Sequence, residues 1–534
     1  MPAADTRAPA VNLIDGQPHP IPGGAMVVTD PAEPARVVYS CAPNTAHVDQ
    51  AVGAARRALP AWSGLPQERR FAVLRRFGEI AKAGTAQMAS VIANEVGKAM
   101  WECKAEAGIL AGKVDITLDP AATSGGGGLA RVSDFELPLS PTRRGRCIFK
   151  PHGVMAVVGP FNFPAHLPNG HIVPALAAGN TVVFKPSEKA PGAGQLLVEW
   201  YLRAIHEELG ETPQARACGG TVNLVQGGGE IAAGLCGHPG IDGVAFTGSW
   251  PVARKIALAN IDRPGRMLAF ELGGSNPAVV MDDADLRLAA LEVARSAFNT
   301  TGQRCTCTRR LIVHEAVERK LIALVGKIAS NLVIGHPRSS PVFTGPIISR
   351  AALDAALNFQ SAARRSGAAV LMEAAAIDTP TRGHFISPSI IRVDRFVADP
   401  LDHPVQAGEP IDPGADIEVF GPVLRYTTVT SIEGAIQQAN ATRYGLAASI
   451  FTQSAAHGER FIRECRAGCI NVNTGTAGAS SKLPFGGLGL SGNHRPAGSF
   501  ALDYCASPVA CMVERSSAPP AVSEGMRFDE EWLA

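Results

Sequence analysis

One cysteine in this chain, Cys305, has the sequence context of an accessible nucleophile. It lies among small and polar residues in Gly302-Gln-Arg-Cys305, shortly after a helical segment at 291–298. The neighbouring Arg304 or a helix N-terminus could lower the pKa of the thiol and favour the reactive thiolate. Taken alone, a cysteine after a glycine is more often a buried structural thiol, so this interpretation depends on the groups around it.

Two further motifs carry side chains that suit chemistry on a carbonyl group. Glu271 follows an apolar segment, 267–270, and precedes Gly273-Gly274, where the backbone can turn tightly beside a ligand. It fits either a general base in a partly dry cleft or an ordinary carboxylate at a strand end. Asn162 is held between aromatic residues and prolines in Gly159-Pro-Phe-Asn-Phe-Pro164. Its amide could donate to a developing oxyanion, or simply stabilise a turn.

Two other strand ends carry groups suited to a nucleotide. In Phe246-Thr-Gly-Ser249, Gly248 and Ser249 join a predicted strand to a predicted helix, a junction whose N–H groups and hydroxyl suit a pyrophosphate. Lys185-Pro-Ser-Glu188 supplies a cation and a carboxylate that could both bind a ribose. Each signal is weak by itself, because a glycine and a serine follow strands in many folds.

The segments that must position these groups alternate between strand and helix. The predicted strands of the first half are Val154–Val158, 181–184, 222–225 and 243–246. Those of the second half are 311–313, 369–373 and 417–426. Continuous apolar runs of this length are typical of parallel strands that are covered on both faces. Repeated strand–helix units therefore predict an α/β fold with two lobes, each built on an open parallel sheet.

The region before these units is predicted to be helical, with a loose start. Residues 1–35 are rich in proline and alanine and are expected to form a loosely attached lead-in. A helix is predicted from Thr45 to Pro60, where the proline should end it. Residues 132–139 and 146–150 are expected to pair as a hairpin outside the main core.

Composition excludes several classes of protein. The chain has 534 residues, of which 46% are hydrophobic and 18% charged, and its net charge is +1. Large cores are therefore expected, and a broad basic face for nucleic acid is not. No apolar run approaches the length of a membrane span, and no secretory signal is visible, so the expected location is the cytoplasm. The eleven cysteines show neither a disulfide framework nor zinc-ligand spacing, so no metal is expected.

The motifs together resemble those of the aldehyde dehydrogenase superfamily. The matching blocks are GPFNFP, NTVVFKPSE, FTGS, ELGGSNP, GQRC, EVFGP and PFGG, in that order. The resemblance implies a Rossmann-type cofactor domain, an α/β catalytic domain and a β-hairpin oligomerisation arm, in a homodimer or homotetramer. The implied ranges are 1–130 and 151–270 for the cofactor domain, 271–485 for the catalytic domain, 131–150 and 500–515 for the arm, and 516–534 for a tail.

The resemblance also implies a covalent mechanism with a nicotinamide cofactor. Cys305 would attack the aldehyde to form a thiohemiacetal and then a thioester, Asn162 would stabilise the oxyanion, and Glu271 would activate water. The implied cofactor residues are Lys185, Glu188, Gly248, Ser249, Glu418 and Phe420. Because a carboxylate at Glu188 repels a 2′-phosphate, NAD is expected rather than NADP.

The expected substrate is a small acid aldehyde. The segments around Gly170 and from Ser491 to Pro496 look most like the branch that oxidises N-succinylglutamate 5-semialdehyde in arginine breakdown. The candidate substrate residues are His166, Asn169, Arg304, Arg495 and Phe485. The loop 473–478 departs from that branch, so another semialdehyde or an aliphatic aldehyde stays open. A coenzyme A-acylating enzyme, against which Glu271 argues, and a non-catalytic scaffold are the remaining alternatives.

Overall fold

Two seven-stranded sheets organise the described part of the chain. The computed structural model describes residues 9–119, 127–398, 416–515 and 521–534. The strands of the first sheet are, in spatial order, Met267–Glu271, Gly243–Thr247, Val154–Val158, Thr181–Lys185, Val222–Leu224, Val11–Ile14 and Gln17–Pro20. The first five are parallel to one another, and Val11–Ile14 is antiparallel to both of its neighbours. Most of the parallel strands are buried along their whole length, as sequence reasoning expected of strands covered on both faces.

The second sheet is built from the later half of the chain. Its strands are, in spatial order, Ala369–Met372, Ser389–Arg392, Val423–Val429, Thr308–His314, Asn276–Val280, Ala447–Phe451 and Cys469–Val472. All neighbours are parallel except the first pair. The expected α/β fold with two parallel sheets is confirmed.

Helices cover both sheets. Those that precede or surround the first sheet are Ala46–Ser63, Gln67–Ala83, Thr85–Val96, Met100–Gly108, Leu110–Leu118, Gly127–Arg131, His166–Ala177, Pro191–Leu209, Pro213–Ala217, Gly229–Gly237 and Trp250–Ala259. Those of the second are Leu286–Phe298, Glu315–Ser330, Arg350–Arg365, Ile432–Asn440 and Ala455–Glu464. None of the helices within the described residues is both long and apolar enough to cross a membrane.

Smaller sheets complete the described structure. Three antiparallel strands, Phe135–Pro138, Arg143–Pro151 and Ala506–Glu514, form a sheet of their own. The two-stranded pairs are Met26–Asp30 with Glu33–Cys41, Ala376–Ile377 with Phe385–Ile386, and Pro484–Phe485 with Ala497–Gly498.

Three local predictions were wrong. The lead-in is not loose from Val11 onwards, because all four residues of Val11–Ile14 are buried as a strand of the first sheet. The first helix continues past Pro60 to Ser63; a proline there removes one N–H donor, and the Pro60 carbonyl still accepts from Gly64. The strand expected at 417–426 begins only at Val423.

Most of the motifs follow strands of the first sheet. Asn162, Lys185, Ser249 and Glu271 all lie at or just beyond the carboxyl ends of strands in the first sheet. Cys305 lies just before the amino end of a strand in the second. Ligands of open α/β sheets bind at the carboxyl ends of the strands, so this side of the first sheet is the expected place for a site.

Candidate active site

The loop that carries Cys305 is bent by an unusual run of backbone angles. Thr300, Thr301 and Gly302 follow one another with φ of 53°, 54° and 70°. A Cβ on Gly302 would collide with the carbonyl oxygen of Gly421, so only glycine fits there. Such left-handed conformations cost free energy for threonine and persist only where the surroundings hold them. The sharp turn directs the chain so that partly buried Cys305 lines a cavity.

Buried side chains fix this loop from several directions. The Asn276 amide donates to the carbonyl oxygens of Cys305 and Cys307, at 2.7 and 2.8 Å. Its own oxygen accepts from the Ala447 N–H at 3.0 Å. Gln303 accepts from the Ile348 N–H at 2.9 Å. Asn276 lies within the ELGGSNP motif, so the sequence marked the segment but not the role of this residue.

Asn162 is placed beside the same loop. Its Nδ2 donates one hydrogen to the carbonyl oxygen of Gln303 at 3.0 Å, and the side chain is buried. Lys98 holds the Asn162 backbone by donating to its carbonyl oxygen at 3.0 Å and is itself paired with Glu106 at 2.6 Å. The second amide hydrogen of Asn162 makes no hydrogen bond within the described residues, and neither does the Cys305 N–H. Both donors are therefore available to an oxygen atom of a ligand bound beside Cys305.

Glu271 ends its strand with a carboxyl group facing the cavity. Oε1 accepts from the Ala497 N–H at 3.2 Å, and Oε2 is buried without a hydrogen-bond partner among the described residues. Burial raises the pKa of Glu271 well above its ordinary value, and the Ala497 N–H only partly offsets this effect. A base whose pKa is raised in this way accepts a proton from water more readily than an exposed glutamate does.

The Cys305 thiol is not activated by its resting surroundings. Burial raises its pKa above the ordinary value, and the nearby carboxylates of Glu418 and Glu271 raise it further. The expectation that Arg304 would lower this pKa has no support, because the Arg304 guanidinium binds Glu102 at 2.6 Å. The thiol of this ligand-free state is therefore mostly protonated at neutral pH.

A cavity of about 230 Å³ opens in front of Cys305 and Glu271. Its described lining combines apolar walls with a few polar groups: Ile109, Lys113, Phe163, His166, Leu167, Gly170, His171, Glu271, Arg304, Cys305, Thr306, Ala477, Ala479, Ser480, Ser481, Phe485, Ala497 and Gly498. A cavity of this size holds a small organic molecule rather than a polymer.

The structure brings three of the five candidate substrate residues to this cavity. His166, Arg304 and Phe485 line it. Asn169 does not: its amide oxygen accepts from the Tyr201 hydroxyl at 2.6 Å and its nitrogen donates to the Leu110 carbonyl at 3.1 Å, so both are used internally. Arg495 lies exposed on the surface and is not among the lining residues.

Sequence reasoning missed two polar parts of the lining. Lys113 lies in the helix Leu110–Leu118, far from every motif, and nothing in its local pattern separates it from a surface lysine. Ser480 and Ser481 follow the loop that departs from the expected branch, which was the one signal that could have drawn attention to them.

Residues suited to a dinucleotide follow the ends of two other strands of the first sheet. The Ser249 hydroxyl is exposed at the N-terminus of the helix Trp250–Ala259 and makes no capping hydrogen bond within the described residues. A Cβ on Gly248 would collide with the ring of Phe246. Buried Lys185 reaches the Glu188 carboxylate at 3.4 Å, and that carboxylate is half exposed. These groups fit the cofactor: a free hydroxyl at a helix N-terminus suits a pyrophosphate, and a cation beside a carboxylate suits a ribose.

Glu418 and Phe420 contact segments that follow strands of the first sheet. Glu418 accepts from the Gly274 N–H at 3.1 Å, and a Cβ on Gly273 would collide with the Glu418 carboxylate. Burial raises the pKa of Glu418. The Phe420 ring lies edge-on to Phe161 with centroids 5.8 Å apart. The absence of a side chain at Gly273 thus leaves room for the Glu418 carboxylate, and Phe420 packs against the motif that contains Asn162.

Comparisons with known proteins agree with this geometry. A model of the aldehyde dehydrogenase family matches residues 22–509. The chain is 43% identical over 501 residues to N-succinylglutamate 5-semialdehyde dehydrogenase of Caulobacter sp. (strain K31), covering 93% of this chain and 95% of the relative. Among solved structures, an indole-3-acetaldehyde dehydrogenase in complex with NAD+ aligns with a TM-score of 0.83 and 26% identity, covering 95% of this chain and 97% of that one. An NADP-dependent glyceraldehyde-3-phosphate dehydrogenase from Bacillus halodurans, complexed with NADP, aligns with a TM-score of 0.82 and 26% identity, covering 96% and 100%.

Proposed function

Since the chain belongs to the aldehyde dehydrogenase family, and is thus an oxidoreductase that acts on aldehydes, we propose that it oxidises N-succinyl-L-glutamate 5-semialdehyde to N-succinyl-L-glutamate with NAD. The observation that carries this proposal is that Cys305 and Glu271 line one cavity while Asn162 is hydrogen-bonded to the loop that holds Cys305. The choice of substrate is supported by the similarity to the N-succinylglutamate 5-semialdehyde dehydrogenase of Caulobacter and by the basic side chains in the cavity wall.

In the first half of the reaction, Cys305 forms a covalent bond with the substrate. The thiol loses its proton to water in the open cavity, and Sγ bonds to the aldehyde carbon, whose oxygen becomes an oxyanion. The free hydrogen of Asn162 and the Cys305 N–H stabilise that oxygen. Neither donor makes a hydrogen bond within the described residues, so both are available to it. NAD, held by the cofactor residues assigned below, would supply the acceptor for the hydride that leaves the former aldehyde carbon, and Cys305 would then carry a thioester.

In the second half, Glu271 releases the acid. Its unpartnered Oε2 takes a proton from water, the water oxygen bonds to the thioester carbon, and the carbon–sulfur bond breaks to free the thiolate of Cys305. A buried base beside the nucleophile supports hydrolysis rather than transfer to coenzyme A.

For the cofactor, we assign Lys185 and Glu188 to the adenosine ribose, Gly248 and Ser249 to the pyrophosphate, and Glu418 and Phe420 to the nicotinamide end. The Glu188 carboxylate repels a phosphate on the ribose 2′-oxygen, which favours NAD over NADP.

We also propose that the enzyme acts in the cytoplasm as a homodimer or homotetramer through the arm at 131–150 and 500–515, with the cofactor domain at 1–130 and 151–270 and the catalytic domain at 271–485. The described arm strands leave Phe135, Leu137 and Met512 at least 42% exposed, which is the kind of apolar patch that a second subunit covers.

An aldehyde panel tests the substrate. Purified enzyme is given N-succinylglutamate semialdehyde, succinate semialdehyde or an unbranched aliphatic aldehyde, and NADH formation is followed with NAD and with NADP. We expect the succinylated aldehyde to have the highest kcat/KM by orders of magnitude and the Cys305→Ser variant to be inactive. Equal kcat/KM values would leave the aldehyde oxidation intact and refute the assignment of this substrate.

A further inference from the structure

Lys113 is a buried cation in the wall of the active-site cavity. Its side chain is 3% exposed, and its Nζ donates to the carbonyl oxygen of Gly498 at 2.7 Å. Both residues line the cavity that contains Cys305. An ammonium group has three hydrogens, so two remain for another partner.

This cation has no counter-charge within the described residues. The cavity's other basic side chain, Arg304, is neutralised by Glu102 at 2.6 Å, and buried Lys98 by Glu106 at the same distance. Lys113 forms no such ion pair in the described chain, and the ionisable groups that interact with it are instead the imidazoles of His166 and His171 and the thiol of Cys505.

The pKa values of Lys113 and of the two neighbouring histidines are all lowered. Burial lowers the pKa of Lys113 to about 8. Burial, together with the charge of Lys113, lowers the pKa of His166 to about 4 and that of His171 to about 3. Of these three groups, only Lys113 therefore carries a positive charge at neutral pH. A buried charge of this kind is costly unless an anion joins it.

We propose that Lys113 binds a carboxylate group of the substrate and thereby selects aldehydes that carry a negative charge. This inference rests on the proposed function, whose substrate has two carboxylates, and assigns one of them a partner. Arg304 is unsuited to the role because Glu102 already occupies its guanidinium, and Arg495 lies outside the cavity.

The position of Lys113 also connects recognition to the chemistry. The residue after Ala497 is Gly498, so the carbonyl that Lys113 binds is adjacent to the N–H that holds Glu271 Oε1 at 3.2 Å. The short strand Ala497–Gly498 thus fixes the cation relative to the base. A substrate anchored on Lys113 is held at a set distance from the water that Glu271 activates.

The test compares two substrates in two variants. Lys113→Met removes the charge and keeps the length of the side chain, and Lys104→Met, on the exposed face of the preceding helix, is the matched control. For each protein, kcat/KM is measured with N-succinylglutamate semialdehyde and with an uncharged aliphatic aldehyde. We expect Lys113→Met to lower the ratio of the two kcat/KM values by about 10- to 100-fold, mainly through KM, as for loss of a charge-assisted hydrogen bond. Lys104→Met should leave the ratio unchanged.

The outcomes separate this inference from the proposed function. If the wild-type enzyme prefers the succinylated aldehyde and Lys113→Met keeps that preference, Lys113 does not bind the carboxylate, while the proposed function stands. If the wild-type enzyme shows no preference for a charged aldehyde, the proposed substrate fails and the role of Lys113 fails with it. Should the methionine variant not fold, Lys113→Gln, which can still donate to Gly498, must show the same loss of preference.

Discussion

Replacing Glu271 by glutamine separates the two halves of the proposed reaction. In Glu271→Gln the side-chain oxygen can still accept from the Ala497 N–H at 3.2 Å. The amide nitrogen takes the place of Oε2, which has no hydrogen-bond partner among the described residues. The side chain should therefore keep its position and lose only its ability to accept a proton.

The expected loss falls on hydrolysis. A positioned general base raises the reaction rate about 10²- to 10⁴-fold, which corresponds to a reduction of the activation free energy by roughly 3–5 kcal/mol. Bond formation at Cys305 should persist, because its loop is held by Asn276 and its oxyanion by Asn162, neither of which bonds to Glu271. The variant should thus form about one NADH per active site rapidly and then turn over slowly.

Rapid-mixing measurement of NADH tests this expectation. A burst followed by a steady rate at least 100-fold below that of the wild type supports it, and mass spectrometry should detect the acyl group on Cys305. Glu315→Gln, on an exposed helix start, is the control and should behave as the wild type. A variant that loses the burst and the steady rate equally, or neither, refutes the assigned role of Glu271.

The same variant should change the pH dependence of stability. Because burial raises the pKa of Glu271 in the folded state above its ordinary 4.5, the folded protein holds this proton more tightly than the unfolded chain. That contribution is complete below pH 4.5 and is lost as the pH rises towards and through the folded-state pKa. The glutamine variant cannot ionise, so its Tm relative to the wild type should increase from pH 5 to pH 9. A difference in Tm that stays constant over this range contradicts the reasoning.

Four further outcomes are expected. Asn162→Ala removes the proposed oxyanion donor and should lower kcat about 10²- to 10³-fold, measured as NADH formation; an unchanged kcat contradicts the role. Asn276→Ala removes three buried hydrogen bonds and should lower the free energy of unfolding by about 2–4 kcal/mol, measured with urea. Alkylation of Cys305 by iodoacetamide should keep accelerating above pH 9, since burial and two carboxylates raise the pKa of the thiol; a plateau near pH 7 excludes this. Glu188→Gln removes the charge that repels a 2′-phosphate and should raise the ratio of kcat/KM with NADP to kcat/KM with NAD about 10-fold. An unchanged ratio contradicts the assignment of Glu188 to the adenosine ribose.

Sequence patterns located the strand ends of the first sheet. Val154–Val158 is a continuous apolar run and Asn162 follows it within a rigid motif, so both the strand and the polar group after it are visible locally. The same holds for Lys185 and Ser249. Because parallel strands place their carboxyl ends at one edge, local patterns were sufficient to predict that these groups share a side of the fold.

Contacts between distant segments were beyond such reasoning. Val11–Ile14 forms a buried strand because it pairs with Val222–Leu224, more than two hundred residues away, whereas its own composition suggested a loose lead-in. Asn169 follows the motif that contains Asn162, but its amide oxygen accepts a hydrogen bond from the Tyr201 hydroxyl and so does not face the cavity.

Sequence alone was enough to propose the chemistry of this protein, whereas the tertiary structure decided which charges face the cavity. The residues proposed as nucleophile, base and oxyanion donor could be selected from the sequence because each lies in a short motif, and the motifs together resemble one family. Whether a cation faces the substrate depends on where its partners lie: Arg304 is paired by Glu102, and Lys113 is not paired by any described carboxylate. Electrostatic energy depends on distances through space, and burial strengthens it, so neighbours in sequence carry little information about either.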